Sequence, residues 1–311
     1  MVNPIVNPKP NLGVTVAGIL LQNPVMTASG TFNSGREFAH LADLHRLGAV
    51  VTKGVSSVPW PGNPPPRIAE THGGMLNAIG LHNPGAAWLI ENDLPFLRQY
   101  DTKIIVNLCG KTVAEYVRVA LDFQDADVDA FELNISCPNV AEGGLAFGTD
   151  AKTAARLVAE VKKHVRVPLI VKLSPNVTDI ADIAQAVEAA GADAVSLINT
   201  LLGMKIDVRS RRPLLANTFG GLSGPAVKPV ALRMVYTVAK KVAIPVIGMG
   251  GIATADDALE FLLAGATAVA VGTANFANPR ATMDLLDGLE QFLSENGIAD
   301  INELIGAAQL S

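Results

Sequence analysis

Short apolar, β-branched runs alternate with amphipathic stretches of helical period along almost all of the 311-residue chain. That alternation is what most limits the folds open to it. Eight runs read as strands: Val25–Thr27, Ala49–Thr52, Ile104–Asn107, Ala130–Ile135, Leu169–Leu173, Ala194–Asn199, Pro245–Gly248 and Ala268–Gly272. Between them, segments such as Asp150–Lys163, Asp179–Ala190, Ala226–Lys241 and Thr254–Ala264 carry apolar residues at spacings of three and four, as a helix with one buried face requires. Thr254 reads as the N-cap of the last of these, with Asp256 and Asp257 in its first turn. Strands that alternate with helices imply a parallel sheet. Eight strands with eight helices make a closed (β/α)8 TIM barrel. An open doubly wound sheet is the runner-up, but it usually carries a glycine fingerprint after its first strand. Here Ala28-Ser29-Gly30-Thr31-Phe32 follows instead, which is not GxGxxG.

Ahead of the first strand, Val14–Leu21 reads as a short hairpin turning at Ala17-Gly18 and covering the barrel bottom. No linker or internal repeat interrupts the pattern, so residues 1–311 are expected to form a single domain. With 49% hydrophobic and 17% charged residues the chain can bury a large core. Its net charge of -5, with no basic run, argues against a nucleic-acid partner. No apolar stretch approaches the roughly 18–20 residues of a membrane span, and Met1–Leu12 is polar, so a soluble, cytoplasmic protein is expected. The two cysteines, Cys109 and Cys137, lie far apart, and five scattered histidines show no ligand spacing. A disulfide framework, a resident metal and a four-thiolate iron–sulfur cluster on this chain alone are therefore not expected.

Chemistry is concentrated where the strands end. In a barrel of this kind the active site lies at the C-terminal ends of the strands. There the chain places Ser29, Lys53, Asn107, Asn134 with Cys137, Lys172, and Asn199 with Thr200. Buried charges are rare unless paired and buried amides need partners, so two lysines and three asparagines ending apolar strands favour a ligand site over packing. Cys137 follows Phe131-Glu132-Leu133-Asn134-Ile135-Ser136 and precedes Pro138-Asn139. Alone it reads more readily as a small buried thiol; beside amides and a glycine-bearing loop, Pro138–Thr149, it reads as a catalytic base under a lid. The proline-rich segment Ser56–Arg67 is a second long loop of the kind that binds ligands.

The last two strands run into Gly248-Met249-Gly250-Gly251 and Val271-Gly272-Thr273-Ala274. Glycine there lets backbone N–H groups close on an anion at a helix start, and loops seven and eight are a frequent phosphate site, although tight βα turns also favour glycine. Gly221-Leu222-Ser223-Gly224 is a candidate third cradle. A phosphate site beside amides and lysines suggests flavin mononucleotide (FMN). Carboxamides match the alternating C=O and N–H edge of its ring, and a lysine near its N1–C2=O end stabilises the anionic reduced form.

Several strings together resemble class 1 dihydroorotate dehydrogenase over essentially the whole chain: Asn134-Ile135-Ser136-Cys137-Pro138-Asn139, Val171-Lys172-Leu173-Ser174-Pro175-Asn176, Asn199-Thr200-Leu201, Gly248-Met249-Gly250-Gly251, Gly62-Asn63-Pro64, Met75-Leu76-Asn77-Ala78-Ile79-Gly80-Leu81 and Val271-Gly272-Thr273-Ala274-Asn275. The class 1B catalytic subunit is most similar, on Asn77–Leu81 and Asn199-Thr200-Leu201-Leu202-Gly203. The resemblance implies an FMN barrel that oxidises dihydroorotate to orotate in pyrimidine biosynthesis. Cys137 would take the C5 proton while hydride passes from C6 to flavin N5. It further implies substrate contacts from Lys53, Asn77, Ala78, Ile79, Gly80, Leu81, Asn134, Asn199 and Thr200. The flavin would be lined by Ser29, Lys53, Gly54, Asn107, Asn134, Lys172, Ile198 and Gly224, with its phosphate on Gly250, Gly251, Gly272 and Thr273.

A partner is implied as well: a subunit carrying FAD and a [2Fe-2S] cluster that delivers electrons to NAD⁺, with a homodimer of this chain giving a heterotetramer. Three alternatives stand beside this reading. One is a fumarate-using, class 1A-like homodimer; another is a related flavin enzyme acting on a dihydropyrimidine without a carboxylate. The third is a phosphate-binding barrel that has lost redox chemistry.

Overall fold

The computed structural model describes residues 9–136 and 147–308. Eight parallel strands close into a barrel: β1 Val25–Thr27, β2 Ala49–Val51, β3 Lys103–Leu108, β4 Ala130–Asn134, β5 Leu169–Lys172, β6 Ala194–Leu197, β7 Val246–Met249 and β8 Ala268–Val271. Each pairs with its sequence neighbours, and β8 closes on β1 through Val269↔Val25 and Ala270↔Met26. Nearly every residue of these strands is buried, because one face fills the barrel and the other meets the helices. This is why they read as continuous apolar runs rather than alternating ones.

Six long helices follow β3 to β8: α1 Val113–Asp122, α2 Ala151–Lys162, α3 Ile180–Ala189, α4 Lys228–Ala239, α5 Ala255–Leu263 and α6 Ala281–Asn296. Four start on side-chain caps: Thr112 accepts from Glu115 N–H, Asp150 from Thr153 N–H, Asp179 from Ala181 N–H and Thr254 from Asp257 N–H. The Thr254 cap is the one the sequence anticipated, and it proves to be a capping box, with the Asp257 carboxylate reaching back to the Thr254 backbone. A helical run from Ala86 to Leu97, with a wider turn at Leu89–Asp93, precedes β3.

The expected eighth helix, between β1 and β2, is absent among the described residues; turns and one 3-10 segment, Leu44–Arg46, connect them. Asn33 and Gly35 take left-handed backbone conformations there, and Ser34 donates to Asp93, so the segment's polar side chains serve turns instead of a helix.

The N-terminal hairpin forms as read, Val14–Val16 pairing antiparallel with Ile19–Leu21. Ala17 and Gly18 both have positive φ, the two-residue turn that matches strand twist. Leu21 is four residues from the start of β1, so the hairpin lies at the end where strands enter, with Val14, Val16 and Leu21 buried against the core. At the opposite end, a four-stranded antiparallel sheet stands over the mouth in the order Leu201–Met204, Phe219–Ser223, Gly74–Asn77, Ile68–Thr71. The sequence reading had not anticipated this sheet. No helix among the described residues is long and apolar enough to cross a membrane.

Candidate active site

A cavity of about 920 Å³ opens at the C-terminal ends of the strands, between barrel and mouth sheet. Every candidate site residue named above that is described borders it. Ser29, Lys53, Gly54, Asn107, Asn134, Lys172, Ile198, Asn199 and Thr200 come from the ends of β1 to β6. Asn77, Ala78, Ile79, Gly80 and Leu81 come from the mouth sheet and the loop it feeds, and Gly224, Gly250, Gly251, Gly272 and Thr273 from the turns ahead of α4, α5 and α6. Cys137 and residues 138–146 of the adjoining loop lie outside the described residues, so the candidate base is placed by sequence alone.

The two lysines are held differently. Lys172, 5% exposed, donates to Ser29 Oγ at 3.1 Å and pairs with Glu132 Oε1 at 3.9 Å. Lys53 has no carboxylate partner among the described residues. Burial pushes its ammonium below the ordinary lysine range; the Cys109 sulfur opposes that shift and the neighbouring Lys172 adds to it.

Two carboxamide-bearing strand ends are tied together through one hydroxyl. Asn199 Nδ2 donates to Ser136 Oγ, and Ser136 Oγ donates to Asn134 Oδ1 at 2.6 Å. Tyr116 of α1 donates from its hydroxyl to the Asn134 carbonyl at 2.6 Å, fixing the end of β4 from behind. Asn77 Nδ2 reaches Gly221 O at 3.3 Å across the mouth sheet. Asn176 accepts from Leu202 N–H at 2.9 Å and donates to Thr200 O at 3.0 Å, bracing the segment after β6. The proline-rich loop backs the substrate-side segment: Asn63 N–H and Nδ2 donate to the carbonyls of Ile79, at 3.1 Å, and Ala78, at 3.0 Å.

At the far wall, the backbone N–H groups of Gly251, Gly272 and Thr273 have no backbone hydrogen-bond partner among the described residues, while Gly250 N–H faces Ala270 at the end of the β7–β8 ladder. Unpaired donors are rare in folded proteins, and three of them beside the starts of two helices form an anion cradle. Gly251 has φ +78°, and a Cβ there would fall 2.8 Å from the Lys228 backbone nitrogen, so only glycine permits this turn. These donors fit a phosphate dianion, and the amides and lysines fit the polar edge of a flavin. Gly221–Ser223 proves to be part of a mouth-sheet strand rather than a third helix-start cradle. Gly224, with φ +102°, makes the turn into the short 3-10 segment ahead of α4.

Sequence reasoning missed Glu132, Ser136, Asn176 and Tyr116 as supports. Glu132 alone carried a visible signal, a carboxylate in the middle of an otherwise apolar barrel strand.

Fold and site define a class: a (β/α)8 barrel with an anion cradle after β7 and β8 and a polar, lysine-bearing pocket beside it. Within that class, the family model for dihydroorotate dehydrogenase matches residues 11–293. The chain belongs to the dihydroorotate dehydrogenase family. It is similar to proteins named catalytic subunit of dihydroorotate dehydrogenase B (NAD(+)). The one from Lachnoclostridium phytofermentans is 62% identical over 299 residues, covering 96% of this chain and 100% of the relative. That from Alkaliphilus oremlandii is 64% identical over 296 residues, covering 95% and 98%. That from Geotalea uraniireducens is 60% identical over 300 residues, covering 96% and 98%.

Proposed function

We propose that this chain oxidises dihydroorotate to orotate in pyrimidine biosynthesis, using FMN bound in the cavity at the barrel mouth. The observation that carries the reading is the convergence of the described candidate residues on one cavity, with an N–H cradle at its wall whose donors lack backbone partners among the described residues. Gly250, Gly251, Gly272 and Thr273 would hold the phosphate. Ser29, Gly54, Asn107, Lys172, Ile198 and Gly224 would line the ring. The flavin would supply the acceptor for the hydride leaving C6 of the substrate.

The chain's own residues do the rest. Lys53, the ammonium with no carboxylate partner among the described residues, answers the substrate carboxylate. Asn77, Asn134, Asn199 and Thr200 bind the amide edges of the pyrimidine, and the segment Ala78–Leu81 closes one side. Cys137 takes the proton from C5. A free thiol has a pKa of about 8.5, so the thiolate fraction is small near neutrality unless the site enlarges it.

The relatives' names, with the words catalytic subunit and NAD(+), support a partner subunit through which electrons reach NAD⁺; by the family resemblance that subunit would carry FAD and a [2Fe-2S] cluster, in a cytoplasmic assembly built on a homodimer of this chain. With two cysteines, this chain cannot ligate such a cluster with four thiolates of its own.

The test is anaerobic mixing of the yellow protein with dihydroorotate while following flavin absorbance. Prompt bleaching is expected. A bound flavin that dihydroorotate leaves oxidised would refute the substrate, and a protein that takes up no FMN would refute the cofactor.

A further inference from the structure

Glu132 is an acidic side chain in a place built for apolar ones. It sits in the middle of β4, 2% exposed, inside the barrel beneath the cavity floor. An isolated buried carboxylate is strongly disfavoured, yet this one is fully engaged. Oε1 accepts from Asn107 Nδ2 at 2.6 Å and lies 3.9 Å from Lys172 Nζ, while Oε2 accepts from Ser196 Oγ at 2.7 Å. Three strands, β3, β5 and β6, thus deliver a partner to one carboxylate of β4.

A carboxylate only accepts hydrogen bonds. It therefore obliges Asn107 to turn its NH₂ inward and leaves Asn107 Oδ1 as the end that meets Cys109 Sγ, at 3.6 Å. The same carboxylate opposes the charge of Lys172, whose one hydrogen bond among the described residues goes to Ser29 Oγ at the cavity.

We propose that Glu132, which touches no ligand itself, is the positioning residue of the flavin site. It orients the Asn107 carboxamide and offsets the positive charge that Lys172 presents to the ring, thereby holding down the preference of the site for reduced over oxidised flavin. The inference rests on the FMN reading above. Without the carboxylate, Lys172 acts on the ring undiminished, and the anionic reduced flavin is bound more tightly relative to the oxidised one.

The experiment compares dissociation constants of oxidised and dithionite-reduced FMN for wild type, Glu132→Gln, Ser196→Ala and Lys172→Met, by anaerobic titration. In Glu132→Gln the ratio of oxidised to reduced constants is expected to rise about tenfold or more, equivalent to about +30 mV for a two-electron couple. Ser196→Ala removes one hydrogen bond to the same carboxylate but no charge, and its ratio stays within about twofold of wild type. Lys172→Met lowers the ratio. A Glu132→Gln ratio that is unchanged or lower, with FMN still bound, overturns the inference alone, as does Ser196→Ala moving the ratio as far as Glu132→Gln. Wild type that takes up no FMN overturns the reading of the site and the inference with it. Should Glu132→Gln not fold, Glu132→Gln/Lys172→Met removes both charges together; a ratio no higher than that of Lys172→Met overturns the inference.

Discussion

Gly221 gives the sharpest test of the substrate side of the pocket. A Cβ added there would lie 2.0 Å from Thr200 Oγ1, 2.5 Å from its Cβ and 3.2 Å from its Cγ2. Carbon atoms pack at about 3.5–4.0 Å, so in Gly221→Ala the Thr200 side chain must retreat by about 1 Å or more. It has little room to do so. Thr200 N–H is bound to Asn199 Oδ1 at 2.8 Å, and Thr200 O accepts from Asn176. Overpacking of this kind costs about 1–3 kcal/mol. If it falls on substrate contacts, orotate binds about 5- to 150-fold more weakly. FMN uptake should be unchanged, because Gly250, Gly251, Gly272 and Thr273 lie on the other wall. The assay is orotate titration of the flavin spectrum for Gly221→Ala, Thr200→Gly and the double variant. Thr200→Gly removes all three atoms the methyl would strike, so on that background the methyl should cost little, a coupling of about 1 kcal/mol or more. Equal losses in both backgrounds would show that the methyl acts elsewhere. Wild-type orotate affinity in Gly221→Ala would remove Thr200 from the substrate site.

Three further outcomes are expected. Cys137→Ala should retain FMN yet slow its reduction by dihydroorotate at least about a hundredfold, the scale of a lost general base; stopped-flow reduction at the wild-type rate would dismiss the thiol. Since burial lowers the Lys53 pKa, the Michaelis constant for dihydroorotate should rise with pH at values below the ordinary lysine range, and Lys53→Met should abolish that limb. The same shift makes the unfolded chain bind more protons between the folded and unfolded pKa values. Lys53 therefore costs apo-protein stability below that window, the cost fades as pH rises through it, and Lys53→Met should melt higher at neutral pH. At α5, burial tends to raise the Asp257 pKa, but hydrogen bonds from Lys228 and from the N–H groups of Ala253 and Thr254 outweigh it and leave the pKa lowered. Its stabilisation is present above the ordinary carboxylate range and lost as pH falls through the folded pKa. Asp257→Asn should flatten that acid limb in urea titrations, and Thr254→Ala should cost about 1 kcal/mol.

The barrel was legible because each strand is buried on both faces, so an apolar run of three to six residues marks it. The strand ends were read one or two residues long at Thr52, Ile135, Leu173 and Asn199, for a physical reason. The ladder hydrogen bonds run past the regular strands, as from Leu173 N–H to Ser196 O and Ile198 N–H to Met249 O. Of those four residues, Ile135 and Asn199 border the cavity, while Thr52 and Leu173 stay buried. The mouth sheet was illegible because its glycines break any alternation: Gly203 pairs with Gly220, and Gly221 with Leu202. Glycine weakens a strand and marks close approach of other groups, here Leu76 to Gly203, Asn77 to Gly220 and Thr200 to Gly221. The spacing needed for the pocket is what erased the pattern. Supports such as Tyr116 and Asn176 were hidden for another reason, since a tyrosine on an amphipathic helix looks like core until its hydroxyl is seen to meet the Asn134 carbonyl.

The charges at the strand ends explain why this chain breaks its own apolar pattern where it does. Glu132 answers Lys172, but among the described residues no carboxylate answers Lys53, and three backbone donors at the far wall are equally without backbone partners. Each is a cost until an anion answers it. Together they are two separated demands for negative charge across one cavity: a dianion at the glycine wall and a monoanion near Lys53. A phosphate-bearing cofactor and a carboxylate substrate meet both, so the ligands complete the fold's own hydrogen-bond and charge balance. Binding then stabilises the protein through mass action, by about 2.7 kcal/mol at a hundred times the dissociation constant. Local rules fail at functional sites for this reason: the polar strand ends are unfavourable only until the molecules they were arranged for arrive.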